Sequence, residues 1–139
     1  MTIQPVATSR QVSTSRAWLG GAHGTDSTET ITLDITTLTS GVHYLPSPDT
    51  SQPYLCVLSG VPVGRITASR LYGAYDPAAT DGRQQLRGFI YADAIFGPDV
   101  KKIPAALLWH GTVVATAVPG GIDVSKIIPS VTGPQIRFV

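Results

Sequence analysis

The sequence predicts a compact, mainly β domain that is preceded by an extended N-terminal arm. Ile31, Leu33 and Ile35 alternate with polar residues, which is the pattern of a strand with one buried face. No helical pattern longer than about two turns occurs, and this disfavours bundles, coiled coils and doubly wound α/β folds. Residues 1–30 are rich in Ser, Thr and Gly and have too little periodic apolar surface to fold alone. The chain therefore divides into an arm, residues 1–30, and a β-rich body, residues 31–139.

Composition limits the classes of partner. The chain has 139 residues, which suits one domain, and only 14% of them are charged against a usual value of about 25%. Lys and Arg number 10 and Asp and Glu number 9, so neither a nucleic acid nor an anionic membrane is expected as a partner. The first residues lack the features of a secretory signal, and the most apolar stretch, residues 105–118, is too short to span a bilayer. We expect a soluble protein that is made in a cytoplasm.

The first half of the body contains a loop and several strands. Residues 36–53 are interrupted by Gly41 and three prolines, which indicates a surface loop. Apolar runs predict strands at residues 54–58, 61–66 and 86–92, the second at a sheet edge because Pro62 cannot donate to a ladder. Cys56, the single cysteine, is predicted to be a small buried core residue with no disulfide.

The second half is predicted as a hairpin, a short helix and a final strand. Residues 105–109 and 112–118 flank His110 and Gly111, a spacing typical of a tight hairpin. Asp123 can cap a short helix over residues 124–128 that Pro129 ends. Residues 135–139 then close the chain as a strand.

The sequence does not predict an enzyme. The three histidines lie outside any HExxH motif or Cys/His cluster, so neither a metal nor another cofactor is expected. Asp76 and Asp81 precede Pro and Gly, and such aspartates usually bond to their own turn. Neither a phosphate-binding glycine loop nor a GxSxG motif is present.

The arm contains one unusual segment, RAWLGG at residues 16–21, in which Trp18 and Leu19 interrupt a polar sequence. One interpretation is an anchor on a partner, because Trp and Arg are frequent at interface hot spots and an extended segment can add to a partner's sheet. The other interpretation is that Trp18 folds back over the core of its own chain or of a neighbouring copy. The sequence leaves both open.

The order of the turn and strand motifs resembles a known family. YGAYDPAATDG at residues 72–82, followed by LRGFIYAD at residues 86–93, resembles the phage head decoration proteins of the lambda D type, which stabilise capsids. The likeness continues through residues 106–119, 124–128 and 136–139. Residues 16–28 also look like the arm of the versions found in actinobacterial phages. The loop over residues 36–53 is longer than in the lambda type.

The resemblance implies a small β-tulip or barrel-like domain that forms homotrimers at or near the three-fold positions of an expanded head. The expected location is the outer surface of the virion, and the expected partner is the major capsid protein. The implied function is stabilisation of the head against DNA pressure, with no reaction involved. The predicted capsid-binding arm residues are Arg16, Trp18, Leu19, Gly20, Gly21 and His23.

Two other functions remain open at this point. A phage adhesion or carbohydrate-binding β module would be expected to display clustered exposed aromatic residues, whereas the tyrosines here are spread along the chain. A small hydrolase would need a pocket in which Asp and His side chains converge.

Overall fold

The computed structural model describes residues 16–45, 54–129 and 133–139. Within these ranges the chain is mainly β, as predicted, and contains no helix of seven or more residues. None of the helices in the described ranges is long and apolar enough to cross a membrane. The strands, in chain order, are β1 (Glu29–Asp34), β2 (Tyr44–Leu45), β3 (Leu55–Val57), β4 (Pro62–Arg65), β5 (Tyr72–Ala74), β6 (Leu86–Ile90), β7 (Ala94–Phe96), β8 (Lys102–Leu108), β9 (His110–Val113) and β10 (Gln135–Phe138).

Five strands close a barrel in the order β1-β5-β4-β6-β8. β1 runs antiparallel to β8 along its whole length and parallel to β5, which it meets where Leu33 pairs with Tyr72. Ile31 and Leu33 point into the barrel and are buried, whereas Thr30 and Thr32 are exposed. The alternation seen in the sequence therefore does form the first barrel strand.

Two smaller sheets lie beside the barrel. β2, β3 and β7 form a three-stranded antiparallel sheet, and β9 pairs in parallel with β10. Val57 and Phe96 point from the three-stranded sheet into the barrel core, in line with the alternation of side chains along a strand. The predicted strand at the C-terminus is confirmed as β10.

The fold has two adjacent hydrophobic cores. The first fills the barrel and continues under the three-stranded sheet, with Leu33, Val57, Val61 and Val63 fully buried. The second lies between β6, β8 and the β9–β10 pair, and its buried members are Trp18, Leu86, Phe89, Leu108, Val113 and Val118. β6 and β8 contribute side chains to both cores, and so they connect them.

The predicted hairpin around His110 and Gly111 is wrong. β8 ends at Leu108 and pairs with β1 and β6, whereas β9 pairs with β10. The first run spans both cores, because Leu107 lies in the barrel core and Leu108 lies in the second core with Val113. The two runs pair with different strands and not with each other.

The predicted helix over residues 124–128 is also wrong. Only a single 3₁₀ turn forms, at Val124–Lys126. Its predicted cap is confirmed, because the Asp123 carboxylate accepts a hydrogen bond from the Ser125 backbone N–H. Ile127 is already extended, and Pro129 disfavours helical backbone at the residue before it.

Two further predictions need correction. β4 is not an edge strand, since it pairs with both β5 and β6. Pro62 is tolerated because it is the first residue of that strand. Cys56 is half-buried rather than a core residue, because the neighbouring Val57 takes the inward position on β3.

The predicted arm divides at Arg16. Residues 1–15 lie outside the described residues. Residues 16–28 lie against the body, where Trp18 belongs to the second core and Ser27 accepts a hydrogen bond from Trp109. The predicted loop over residues 36–53 is described only to Leu45. A 3₁₀ turn at Ile35–Thr37, directly after β1, leads into it, and the short strand β2 lies at the end of its described part.

Candidate functional site

The candidate site is the root of the N-terminal arm, which we define as residues 16–24. Its centre is Trp18, which is almost completely buried, with a relative exposure of 1%. The indole Nε1–H donates a hydrogen bond of 3.0 Å to Ser59 Oγ, and the indole ring stacks on Phe89 with a centroid distance of 5.8 Å. Of the two interpretations that the sequence left open, the structure shows Trp18 covering the core of its own chain.

Gly60 makes room for the indole. Its φ is +95°, a conformation that favours glycine, and a Cβ added there would overlap the Trp18 ring. Its backbone N–H donates to the carbonyl of Ile90, so the glycine is held against β6. Gly60 was not predicted as a site residue, and its only signal in the sequence is a glycine two residues after an apolar run.

Ser59 joins the arm root to the body. Its Oγ accepts the hydrogen bond from the indole, and its hydroxyl donates a hydrogen bond of 2.7 Å to the carbonyl of Tyr91. Its backbone N–H donates to Oδ1 of Asp93 at 2.6 Å. Ser59 is the one buried polar residue among those described, and it is buried with its hydrogen bonds made. No signal in the sequence distinguished it from the other serines.

Arg16 closes the outer side of this site. Its Nε–H donates to the Tyr91 carbonyl at 3.1 Å, and its guanidinium lies 4.3 Å from the centre of the Tyr91 ring. This is the geometry of a cation–π contact. Because Arg16 is exposed, the contact fixes the direction of the chain without burying the charge.

Leu19 and Gly20 place the arm root beside β9. Leu19 forms an antiparallel bridge with Val113, and the Gly20 backbone N–H donates to the carbonyl of Thr112 at 2.9 Å. Val114 returns a bond from its N–H to the carbonyl of Trp18. The extended segment does add to a sheet edge, but in this structure the edge is β9 of its own chain. Gly21 is exposed with open space around it.

His23 makes the last contact of the root. Its Nε2 lies 3.0 Å from Nε2 of His110, so one ring donates a hydrogen bond and the other accepts it. The His110 ring stacks on Trp109, at a centroid distance of 5.4 Å, and the Trp109 Nε1–H donates to the carbonyl of Ser27. The six predicted site residues thus lie along one continuous line of contacts with the body, with Gly21 at its exposed turn.

No protein-family model, curated protein or solved structure matches this chain. The capsid-binding role of the six arm residues stays a prediction, and it now has to accommodate a tryptophan that is engaged inside the chain.

The two aspartates that the sequence placed in turns, Asp76 and Asp81, bond to the backbone of their own turns. Asp76 accepts a hydrogen bond from the Ala78 backbone N–H and Asp81 from the Arg83 backbone N–H, which confirms that both are turn residues. Within the described ranges, His, Cys, Asp and Glu form no group of three or more that could hold a metal ion.

Proposed function

We propose that this chain is a phage capsid decoration protein of the β-tulip type. It binds the major capsid protein on the outside of the expanded head, at or near the three-fold positions, and stabilises the head against internal DNA pressure without catalysing a reaction. It acts as a homotrimer, is made in the host cytoplasm and resides on the virion surface. The order of its turn and strand motifs and its closed β body support this proposal.

The observation that carries the proposal is an exposed apolar face on the three-stranded sheet. Leu45, Cys56 and Ile95 are paired across β2, β3 and β7, so their side chains share one face. This is the face opposite Val57 and Phe96, which enter the core. Leu45 and Ile95 are each 45% exposed. Adjoining exposed apolar side chains on one sheet face are a feature of protein–protein contact surfaces.

A second copy of the chain is the occupant that this face fits best. None of the residues of the three strands carries a charge. A charge-free face can meet its symmetry copies without like-charge repulsion, which favours the packing of identical subunits about one axis. The near balance of 10 basic and 9 acidic residues likewise permits many copies to pack on one shell. We therefore assign the apolar face to the trimer contact.

The N-terminal segment supplies the capsid contact in this proposal. Trp18 and Arg16 fix the point at which the chain joins the body. Fifteen residues precede Arg16, and an extended chain of that length spans about 50 Å. Three such segments on one trimer gain avidity, because each later contact forms at a high effective concentration.

Removal of residues 1–15 is expected to abolish binding to heads while the body stays folded. The deletion stops before Arg16 because a cut through residue 24 would remove Trp18 from the core. The measurement is co-sedimentation of the protein with expanded, DNA-free heads of the phage that encodes it, with the thermal unfolding midpoint as the control for folding. If the folded, shortened protein coats the heads with unchanged affinity, the arm does not provide the capsid contact.

The substitution Ile95→Asp is expected to convert the trimer to monomers, because it places a charge on the apolar face at the contact between copies. Light scattering measures the change from three times the 14.6 kDa chain mass to one. Val124→Asp is the matched control, since Val124 is 42% exposed but lies in the turn at Val124–Lys126. A wild-type protein that is monomeric in solution and also binds heads as single copies would contradict the trimer.

A further inference from the structure

A second candidate site lies at one end of the barrel, away from the arm root. It is a pocket of about 290 Å³ lined by Arg65, Thr67, Arg70 and Arg87. The chain has 10 Lys and Arg residues in total. Three of the four residues that line this pocket are arginines, in a protein whose overall charge is close to zero.

The barrel strands bring two of these arginines together. Arg65 is the last residue of β4 and lies on the same face as Val63, which is buried in the barrel core. On β6, Gly88 pairs with Val63 and Leu86 with Gly64, so Arg87 is the extra residue of a β-bulge. Bulges re-aim a side chain relative to the regular pleat. Arg87 therefore lies outside the regular register with β4, and its side chain does not follow the regular alternation of β6.

Arg70 reaches the pocket from the connection between β4 and β5. Its φ is +61°, and it is the one non-glycine residue with a positive φ among those described. The left-handed conformation is unfavourable for a residue with a Cβ. Hydrogen bonds from the Arg70 N–H to the Ile66 carbonyl and from the Leu71 N–H to Ser69 Oγ hold the turn. Strained residues of this kind cluster at binding sites.

Asp81 is hydrogen-bonded through its backbone to Thr67 of the pocket, but its carboxylate pairs with an arginine outside the pocket. The carbonyl of Asp81 accepts a hydrogen bond from the Thr67 N–H, but its carboxylate is bound by Arg83, whose Nε lies 2.9 Å from Oδ2. The backbone N–H of Arg83 and then its guanidinium hold the pKa of Asp81 below its ordinary value. Within the described residues, neither Arg65 nor Arg70 forms an ion pair.

We propose that this pocket binds a small multivalent oxyanion, either a phosphate or a polycarboxylate. Guanidinium groups donate paired N–H bonds that match the oxygens of both kinds of anion. The Thr67 hydroxyl offers a further donor at the rim. A recessed site with several converging guanidinium groups suits a compact anion that carries more than one charge. This inference does not depend on capsid binding and is tested on the isolated protein.

The test is isothermal titration of the full-length protein with inorganic phosphate and, separately, with citrate, each at constant ionic strength maintained with chloride. We expect saturable binding at one site with a higher affinity than that for chloride. The anion that binds more tightly identifies the chemical class of the ligand. Absence of saturable binding with both anions would overturn the proposal.

Arg70→Gly is the sharpest variant, because glycine accepts the positive φ at this position. Loss of the guanidinium is expected to weaken anion binding about tenfold or more, as for other hydrogen bonds to charged groups, while the unfolding temperature stays the same or rises. Arg65→Gln is expected to show the same loss. Arg137→Gln, an exposed change on β10 with the same charge difference, should bind like wild type. Equal weakening in Arg137→Gln would show a general charge effect, and unchanged binding in Arg70→Gly would show that the anion does not bind in this pocket. Either result would refute the site.

Discussion

Replacement of Trp18 by Ala is expected to lower the free energy of unfolding by about 3–5 kcal/mol, the range for truncation of a large buried aromatic side chain. The indole is almost completely buried, stacks on Phe89 and donates a hydrogen bond to Ser59. Its removal leaves a cavity in the second core and takes away the contact that holds the arm root. Chemical denaturation monitored by far-UV circular dichroism measures the change. In a thermal scan, we expect a decrease of about 10–20 °C in the midpoint.

Two further variants separate the parts of this effect. Trp18→Phe keeps an aromatic ring against Phe89 but removes the Nε1–H donor. It should lower the free energy of unfolding by only about 1–2 kcal/mol. Arg16→Ala changes only exposed contacts and should stay within about 1 kcal/mol of wild type. If Trp18→Ala unfolds at the wild-type denaturant concentration, the indole does not stabilise the body, and its role as an anchor on a partner regains support.

The local strand patterns were predictable because they depend on neighbouring residues. Alternation at Ile31 and Leu33, the apolar run around Val57 and the C-terminal strand all appear in the structure. A period of two reports which side of a strand is buried, whatever the partner strand is. The mainly β class followed from these patterns directly.

The pairing of strands could not be predicted in the same way. Residues 105–118 contain two apolar runs separated by His110 and Gly111, which is the local signature of a hairpin. In the structure β8 closes the barrel against β1, and β9 pairs in parallel with β10, the last strand in the sequence. The outcome depends on which strands pair, β8 with β1 and β6 and β9 with β10, and this pairing is a property of the whole fold.

The candidate site was predicted in part. The residues of RAWLGG were recognised because a tryptophan in a polar segment needs a contact, and the structure supplies one for it. Its partners could not be found, because Ser59 and Gly60 are 41 residues or more along the chain from Trp18 and have no distinctive sequence context. The arginine pocket was missed for a similar reason. Arg65 and Arg87 become neighbours only through the pairing of β4 with β6.

Gly60→Ala is expected to be as damaging as the loss of the tryptophan, by about 3 kcal/mol or more when strain and steric overlap are combined. The added Cβ has two separate effects. It places a side chain on a residue with φ +95°, and it overlaps the Trp18 ring. Denaturant unfolding of the single variant measures the sum of both effects.

Gly41→Ala isolates the first effect. Gly41 has a similar φ of +83°, but nothing lies within 4 Å of the position that its Cβ would take. Its expected change is therefore only the backbone strain, about 1–2 kcal/mol. The difference between the two glycine variants estimates the steric overlap with the indole.

The double variant Trp18→Ala with Gly60→Ala then tests whether the two residues act as one unit. Without the indole, the new Cβ meets no ring, so Gly60→Ala should cost no more than Gly41→Ala in this background. The two changes should therefore be non-additive by about 1–3 kcal/mol, as for other residues in direct contact. Strict additivity would mean that Gly60 and Trp18 do not touch in solution. A clear coupling would establish that the arm root and the loop between β3 and β4 form one element, so that the position at which residues 1–15 leave the body is set by the second core.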